Sequence, residues 1–286
     1  MAQNYSGDEK YIIEKENQLG KTVYHYCSLN TLLGILRNKE LWFGCTASMN
    51  DIKEQRFFIE DLHKNIKESI PVEKYPECEN FFKSLYNCLD HDYPYAFCLS
   101  TLNDNAAQWE RYADNACGIS IGFNTKKLAT LFMSAYMTFT KIHYGYDTKN
   151  HAHYQVLLKY ILNNELSEGF QNIRQVKENI LACAIAFKHE SFSTENECRI
   201  STIWSWPTMK GANYEYKLIN NTIKKILTIN LEDLCKKEDL VFEDLIDSIT
   251  IGPRSKQSVY ELREYLKQMG FTKIPQKISK TNCPLR

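Results

Sequence analysis

The 286-residue sequence predicts an α+β fold, with a mixed, mainly antiparallel β core, flanking helices and an inserted helical hairpin. Three observations carry this. Short β-branched or alternating runs recur along the chain, separated by segments whose apolar residues fall three and four apart. Residues 151–190 depart from that pattern, because Leu157, Leu158, Tyr160, Ile161, Ile180, Leu181, Ala184 and Ile185 repeat helically. No internal repeat or low-complexity linker divides the chain, so one domain over 21–286 with an insertion at about 151–190 is the simplest organisation.

Residues 1–20 are polar and charged and read as a flexible lead with a short helix around Tyr11, Ile12 and Ile13. Thr22-Val-Tyr-His-Tyr is the first strand. Ser28 caps a helix carrying Leu29, Leu32, Leu33 and Leu36, and Leu41 to Cys45 form a second strand. After a polar loop from Thr46 to Asn50, Asp51 and Glu54 have capping-box spacing at the start of a helix through Phe57, Phe58, Ile59 and Leu62. A charged helical stretch follows. Tyr95 to Ser100 read as a buried strand, Thr101 to Asn105 as a loop, and Gln108, Trp109, Arg111 and Tyr112 as a short helix. Cys117 to Phe123 alternate as a strand, Asn124 caps the next helix, and Met137 to Tyr146 read as another strand. Beyond the helical hairpin, strands are expected at 195–204, 214–219, 226–230 and 249–251, with an amphipathic helix over 255–269.

Composition sets the class. Hydrophobic residues make up 43% and charged residues 24%, with no apolar run long enough to span a bilayer and no signal segment, so a cytoplasmic protein is expected. The 10 cysteines show no CxxC pair and no zinc spacing, and read as reduced core residues. Net charge is zero, with 35 residues of each sign, which argues against a dedicated nucleic-acid groove without touching a local patch.

The segment from Thr194 to Ser201 concentrates the chemistry. Read as a strand continuing into Ile200, Thr202, Ile203 and Trp204, it places Glu195, Glu197 and Arg199 on one face and Asn196, Cys198 and Ile200 on the other. Neighbouring carboxylates disfavour joint ionisation and an adjacent arginine relieves this, which gives a tuned acid site. The competing reading is the solvated outer face of an antiparallel strand.

Tyr24-His-Tyr-Cys-Ser-Leu, Leu41-Trp, Ser48-Met-Asn-Asp with Glu54, Phe97-Cys-Leu-Ser, Gln108-Trp-Glu-Arg-Tyr-Ala, Gly118-Ile-Ser-Ile-Gly-Phe and Glu195-Asn-Glu-Cys-Arg occur in that order. This series, over about 21–254, resembles the bacterial family catalogued as domain of unknown function 2971. Ile52 stands where proline is expected, and Cys198 where an aromatic residue is usual. The family supplies no activity. A histidine on the first strand with a late Glu-x-Glu strand also resembles the layout of ADP-ribosyltransferases of the His-Tyr-Glu type, including bacterial DNA-modifying toxins. That resemblance implies His25 on the nicotinamide ribose, one of Trp42, Trp109 or Tyr112 stacked on the nicotinamide ring, Glu197 on the ribose hydroxyl as charge develops, and Glu195 orienting or deprotonating the acceptor. It implies catalytic Glu197 and Glu195, cosubstrate contacts from His25, Tyr26, Ser48, Asn50, Trp109, Tyr112 and Arg199, NAD as cosubstrate, and no metal. Preorganised charge beside an oxocarbenium-like centre suits these residue types, and the chain carries no Walker or GxGxxG sequence.

Each residue has a structural alternative. A lone strand histidine such as His25 is commonly a satisfied structural group. Ser48, Asn50, Asp51 and Glu54 make a turn and cap. Trp109 and Tyr112, three apart on a helix, form a core stripe. Lys188 and His189 complement a helix end, with phosphate binding as the alternative, and Gly252-Pro-Arg254 is a strand-ending turn. Three functions remain open: an NAD-consuming transferase or glycohydrolase, of the kind found in toxins or anti-phage effectors, acting on nucleic acid, protein or a small molecule; a noncatalytic nucleotide- or partner-binding module; and a metal-dependent nuclease or phosphodiesterase using Asp51, Glu54, Glu195 and Glu197. No membrane partner is expected. The transferase reading requires His25 and Glu197 to face one cleft.

Overall fold

Side-chain alternation and helix caps set the elements. The computed structural model describes residues 7–46, 54–89, 94–135, 137–145, 152–162, 173–202, 212–219 and 221–285. Helix α1 (Gly7–Leu19) leads into β1 (Thr22–Cys27), and Ser28, whose Oγ accepts from the Thr31 amide, opens α2 (Leu29–Asn38). Lys39, left-handed at φ 50°, ends that helix and turns the chain into β2 (Glu40–Cys45). Two helices follow, α3 (Glu54–Ser69) and α4 (Tyr75–Leu89), then β3 (Tyr95–Ser100), α5 (Ala106–Tyr112), β4 (Ile119–Asn124) and α6 (Thr125–Met133). Asn105 and Asn124 cap α5 and α6 through their side chains. The middle of the chain holds β5 (Thr138–Lys141), β6 (His143–Tyr144), α7 (Ala152–Tyr160), α8 (Ile173–Ala184), β7 (Phe187–Lys188) and β8 (Glu197–Ser201). The order is completed by β9 (Ala212–Ile219), β10 (Thr222–Asn230), α9 (Leu231–Lys237), β11 (Ile246–Ile251), α10 (Val259–Gln268) and β12 (Ile278–Lys280).

Ten strands form one mixed, mostly antiparallel sheet with helices against it, an α+β architecture. Two arms, β12-β11-β4-β1 and β9-β10-β2, meet at β3, whose opposite edge carries β8 and then β5. The meeting is a fork. Tyr95 and Ala96 pair with Cys45 and Gly44 of β2, while Ser100 at the other end of the same edge pairs with Tyr24 of β1. On the far edge Ala96–Ser100 pair with Ser201–Glu197.

The period of two gives the sheet a dry face and a polar one. Val23, Cys27, Phe97, Leu99, Ile119, Ile121, Phe123, Cys198 and Ile200 lie in the main hydrophobic core. Tyr24 and Tyr26, opposite Gly122 and Ser120, point the other way, as do Ser100, Glu197, Arg199 and Ser201. Gly122 makes room there, because a Cβ would fall 2.3 Å from Ser248 Oγ and 3.3 Å from the Tyr24 ring.

Several expectations change. The short helix expected around Tyr11, Ile12 and Ile13 extends over Gly7–Leu19, 13 residues, and packs on α6 and β5 with Leu19 buried. The strand expected over 137–146 is broken at Ile142, whose amide donates to the Glu197 carbonyl. The hairpin of α7 and α8 is not self-contained: Tyr154, Ile180 and Leu181 share a second hydrophobic cluster with Phe58, Leu62, Phe82 and Leu85 of α3 and α4. The stretch that holds α4 looks charged in sequence yet keeps an apolar stripe at helical spacing. No described helix is long and apolar enough to cross a membrane.

Candidate functional site

Strand β8 delivers Glu197 and Arg199 to the polar face, two residues apart as alternation requires. Glu195 arrives differently from the expected single strand. It ends a 3-10 turn over Glu190–Glu195, and Asn196, left-handed at φ 43°, swings the chain into β8. Asparagine tolerates that conformation, so the strand starts two residues late. The Glu195 carbonyl is fixed by the Ser100 hydroxyl at 2.8 Å and Gln108 Nε2 at 3.0 Å, which ties the turn to β3 and α5. The two carboxylates still converge.

Their meeting point is Lys188. Its Nζ donates to Glu195 Oε2 at 2.7 Å and to Glu197 Oε2 at 3.0 Å, and lies 4.7 Å from the Phe192 ring. Arg199 grips Glu197 with two prongs, Nε to Oε1 at 2.6 Å and Nη2 to Oε2 at 3.1 Å, while Nη1 donates to the Ile185 carbonyl. Tyr112 donates its hydroxyl to Glu195 Oε1 at 2.6 Å, and Arg111 reaches the same oxygen from the rim at 3.4 Å. The side chains of Lys188, Glu195 and Glu197 are each no more than 7% exposed and that of Arg199 2%, so the solvated-face alternative fails. Burial alone would raise the Glu197 pKa; the Arg199 guanidinium, then Lys188, override it and hold the carboxyl at about 2. Burial, then the bond to Glu195, push the Tyr112 phenol upward. Tyr144 accepts the Glu197 amide at 2.7 Å, so the main chain is held as firmly as the carboxylate.

This network floors a cavity of about 200 Å³. Its walls are Tyr24, His25 and Tyr26 of β1, Cys98 to Ser100 of β3, and Gln108 and Tyr112 of α5. His25 and Glu197 both line this cavity. His25 belongs by alternation to the dry face, with its ring 4.4 Å from Phe97, and its Nδ1 meets the Cys98 carbonyl at 3.0 Å. A carbonyl only accepts, so Nδ1 carries the proton and Nε2 keeps a lone pair while the ring is neutral. Burial lowers the His25 pKa to about 4 against the opposing pull of that bond.

Other expected contacts fall elsewhere. Trp109 is fully buried beneath the cavity, edge-on to Tyr26 at 5.0 Å, with Nε1 donating to Asp104; it is a core residue and no stacking surface. Trp42 stands on β2 with Lys217 over its ring, away from the cavity lining. Tyr112 is the member of that trio at the cavity. The Tyr26 hydroxyl is engaged by the Leu102 carbonyl and the Asn105 amide, so it contributes its ring face. Ser48, Asn50 and Asp51 lie outside the described residues. Arg254 binds Asn115 and Glu110 at a turn. His189 does not complement a helix end: Nδ1 accepts the Ser191 amide and caps the 3-10 turn. Among the described residues no group of three His, Cys, Asp or Glu side chains is placed to hold a metal ion.

Residues 108–200 match the family described as Protein of unknown function (DUF2971). The DUF2971 segment is narrower than the 21–254 series, yet it opens on Gln108 and contains Tyr112, Lys188, Glu195, Glu197 and Arg199, the polar floor of the cavity. His25 and the tyrosines of β1 precede it. No curated protein and no solved structure matches the chain. Sequence reasoning weighs Lys188 only as a helix-end or phosphate group and Tyr24 only as a strand residue, and assigns neither to this site. Tyr24 was legible as the same-face neighbour of Tyr26; Lys188 was signalled by its place directly after the apolar run Ala184 to Phe187.

Proposed function

We propose that the cavity receives the nicotinamide-ribose end of NAD and cleaves its N-glycosidic bond, passing ADP-ribose to an acceptor or to water. The observation that carries this reading is that His25, Tyr112 and Glu197, brought from three distant segments, line one cavity. Its about 200 Å³ is below the roughly 300–1,000 Å³ of drug-sized pockets, which suits one ring and its sugar with the rest of the dinucleotide outside.

The charge state favours the same chemistry. Glu197 is held ionised and His25 neutral, so neither offers a proton to a leaving group at neutral pH. Nicotinamide requires none. The C1′–N bond breaks with its electron pair returning to the pyridinium ring, and the neutral base departs. Glu197 faces the positive charge left on the ribose, Tyr112 and Tyr24 flank the ring, and the neutral His25 Nε2 accepts from a ribose hydroxyl. An acceptor O–H then closes the new C1′–O bond and gives its proton to Glu195. A second reading, a noncatalytic nucleotide-binding module, is favoured by the cations already bound to both carboxylates.

The test is nicotinamide release from NAD with candidate acceptors, for wild type and for Glu197→Gln checked for folding by circular dichroism. Expected is a loss of about two to three orders of magnitude in the variant. Equal rates eliminate the role of Glu197. A rise in melting temperature with NAD but no release selects the binding module; neither effect retires both readings.

A further inference from the structure

We propose that Lys188 is the positioning residue of this site: its ammonium, bridging Glu195 and Glu197, is what allows two carboxylates to stand charged side by side in one buried cavity. The geometry is that of a shared counter-ion, at 2.7 and 3.0 Å from one oxygen of each carboxylate. The inference extends the NAD reading but does not need turnover to be tested.

The charge balance of the pocket gives the reason. Around Lys188 are Glu195 from the 3-10 turn, Glu197 and Arg199 from β8, Tyr112 and the rim residue Arg111 from α5 and Tyr144 from β6, and His25 of β1 lines the same cavity. The tyrosines and His25 are neutral near pH 7, since burial pushes the Tyr112 and Tyr144 phenols up and the imidazole down. The buried charges are thus two carboxylates against Lys188 and Arg199. Arg199 is committed to Glu197 by both prongs and to the Ile185 carbonyl by its third nitrogen. Without Lys188, Glu195 keeps the Tyr112 hydroxyl and a 3.4 Å contact to Arg111, whose side chain is 51% exposed. Two close carboxylates in a dry site do not both stay ionised on that support. One proton is then taken up, and it goes to Glu195, because Glu197 retains Arg199. The lysine is brought here by the helical core: Phe187, next to it on β7, packs on Phe58 at 4.9 Å.

The proposal differs from a purely structural role in a proton count. The full chain, labelled with carboxyl-¹³C glutamate, is titrated by NMR as wild type, Lys188→Arg and Lys188→Met. Expected is a buried carboxyl titrating at about pH 6–8 in Lys188→Met that neither wild type nor Lys188→Arg shows in that range, and that is absent from Lys188→Met/Glu195→Gln. A Lys188→Met protein whose carboxyls all titrate below about pH 5 overturns the proposal. Should Lys188→Met fail to fold, recovery of folding in the double variant supports charge compensation, and failure of both refutes it. Nicotinamide release is measured in parallel: its absence from wild type sinks the NAD reading alone, and the titration still decides the role of Lys188.

Discussion

His25 sits where alternation assigns a core residue, yet its ring holds a carbonyl and borders a cavity, and its protonation is coupled to folding. Its pKa falls from 6.5 to about 4 on folding, so the unfolded chain takes up the proton first as pH drops. Stability is therefore lost between about pH 6.5 and 4. Glu197 follows the sign of a depressed carboxyl: its contribution is complete above 4.5 and is lost as pH falls to about 2. Urea midpoints measured against pH should show both windows, with His25→Gln flattening the upper and Glu197→Gln the lower. An unchanged upper window in His25→Gln would place that proton uptake on another group. Glu197→Gln also leaves Arg199 short of a buried anion, and a cost of about 3 kcal/mol in denaturant unfolding is expected.

At the scale of elements, local chemistry wrote the helix starts plainly, and tertiary placement hid the rest. Ser28 and Asn124 cap the helices their spacing announced, and the apolar strands lie where β-branched and aromatic runs put them. Ser28→Ala should cost about 1 kcal/mol, read from thermal melts. Trp109→Ala should cost about 3–5 kcal/mol, because it empties a fully buried site and strips Tyr26 and Asp104 of a partner. A near-neutral Trp109→Ala would contradict its core placement. The convergence of Glu195 and Glu197 was legible, but the route was not: alternation handles a continuous strand, and one left-handed Asn196 is enough to end it. The role of Lys188 was not legible because a lysine near a helix end has an ordinary explanation, and it is the pairing of β6 with β7 that sets it beside the carboxylates.

Among the described residues a sheet core and a helical core are accompanied by a small third cluster of Tyr26, Trp109, Ala113 and Ala116, and the cavity is built where the sheet's polar face meets the strand that leaves the helical core. Sequence periodicity revealed a helical hairpin but not its partners, since the stripe of α3 and α4 acquires meaning only once α7 and α8 cover it. Phe58→Ala removes a ring packed on both Tyr154 and Phe187. Hydrogen exchange should then rise in α3, α4, α7 and α8 while the amides of β1 and β4 stay protected; a uniform rise would mean that the two cores open as one unit. The branch at β3 carries a further consequence. Backbone rungs of a sheet survive any substitution, since every residue but proline supplies the same donor and acceptor. At this branch, between the rungs to β2 and the rung to β1, the Cys98 carbonyl is held by an imidazole. One contact at the crotch of the sheet, beside the cavity, is thus carried by an exchangeable side chain where its neighbours are carried by the backbone.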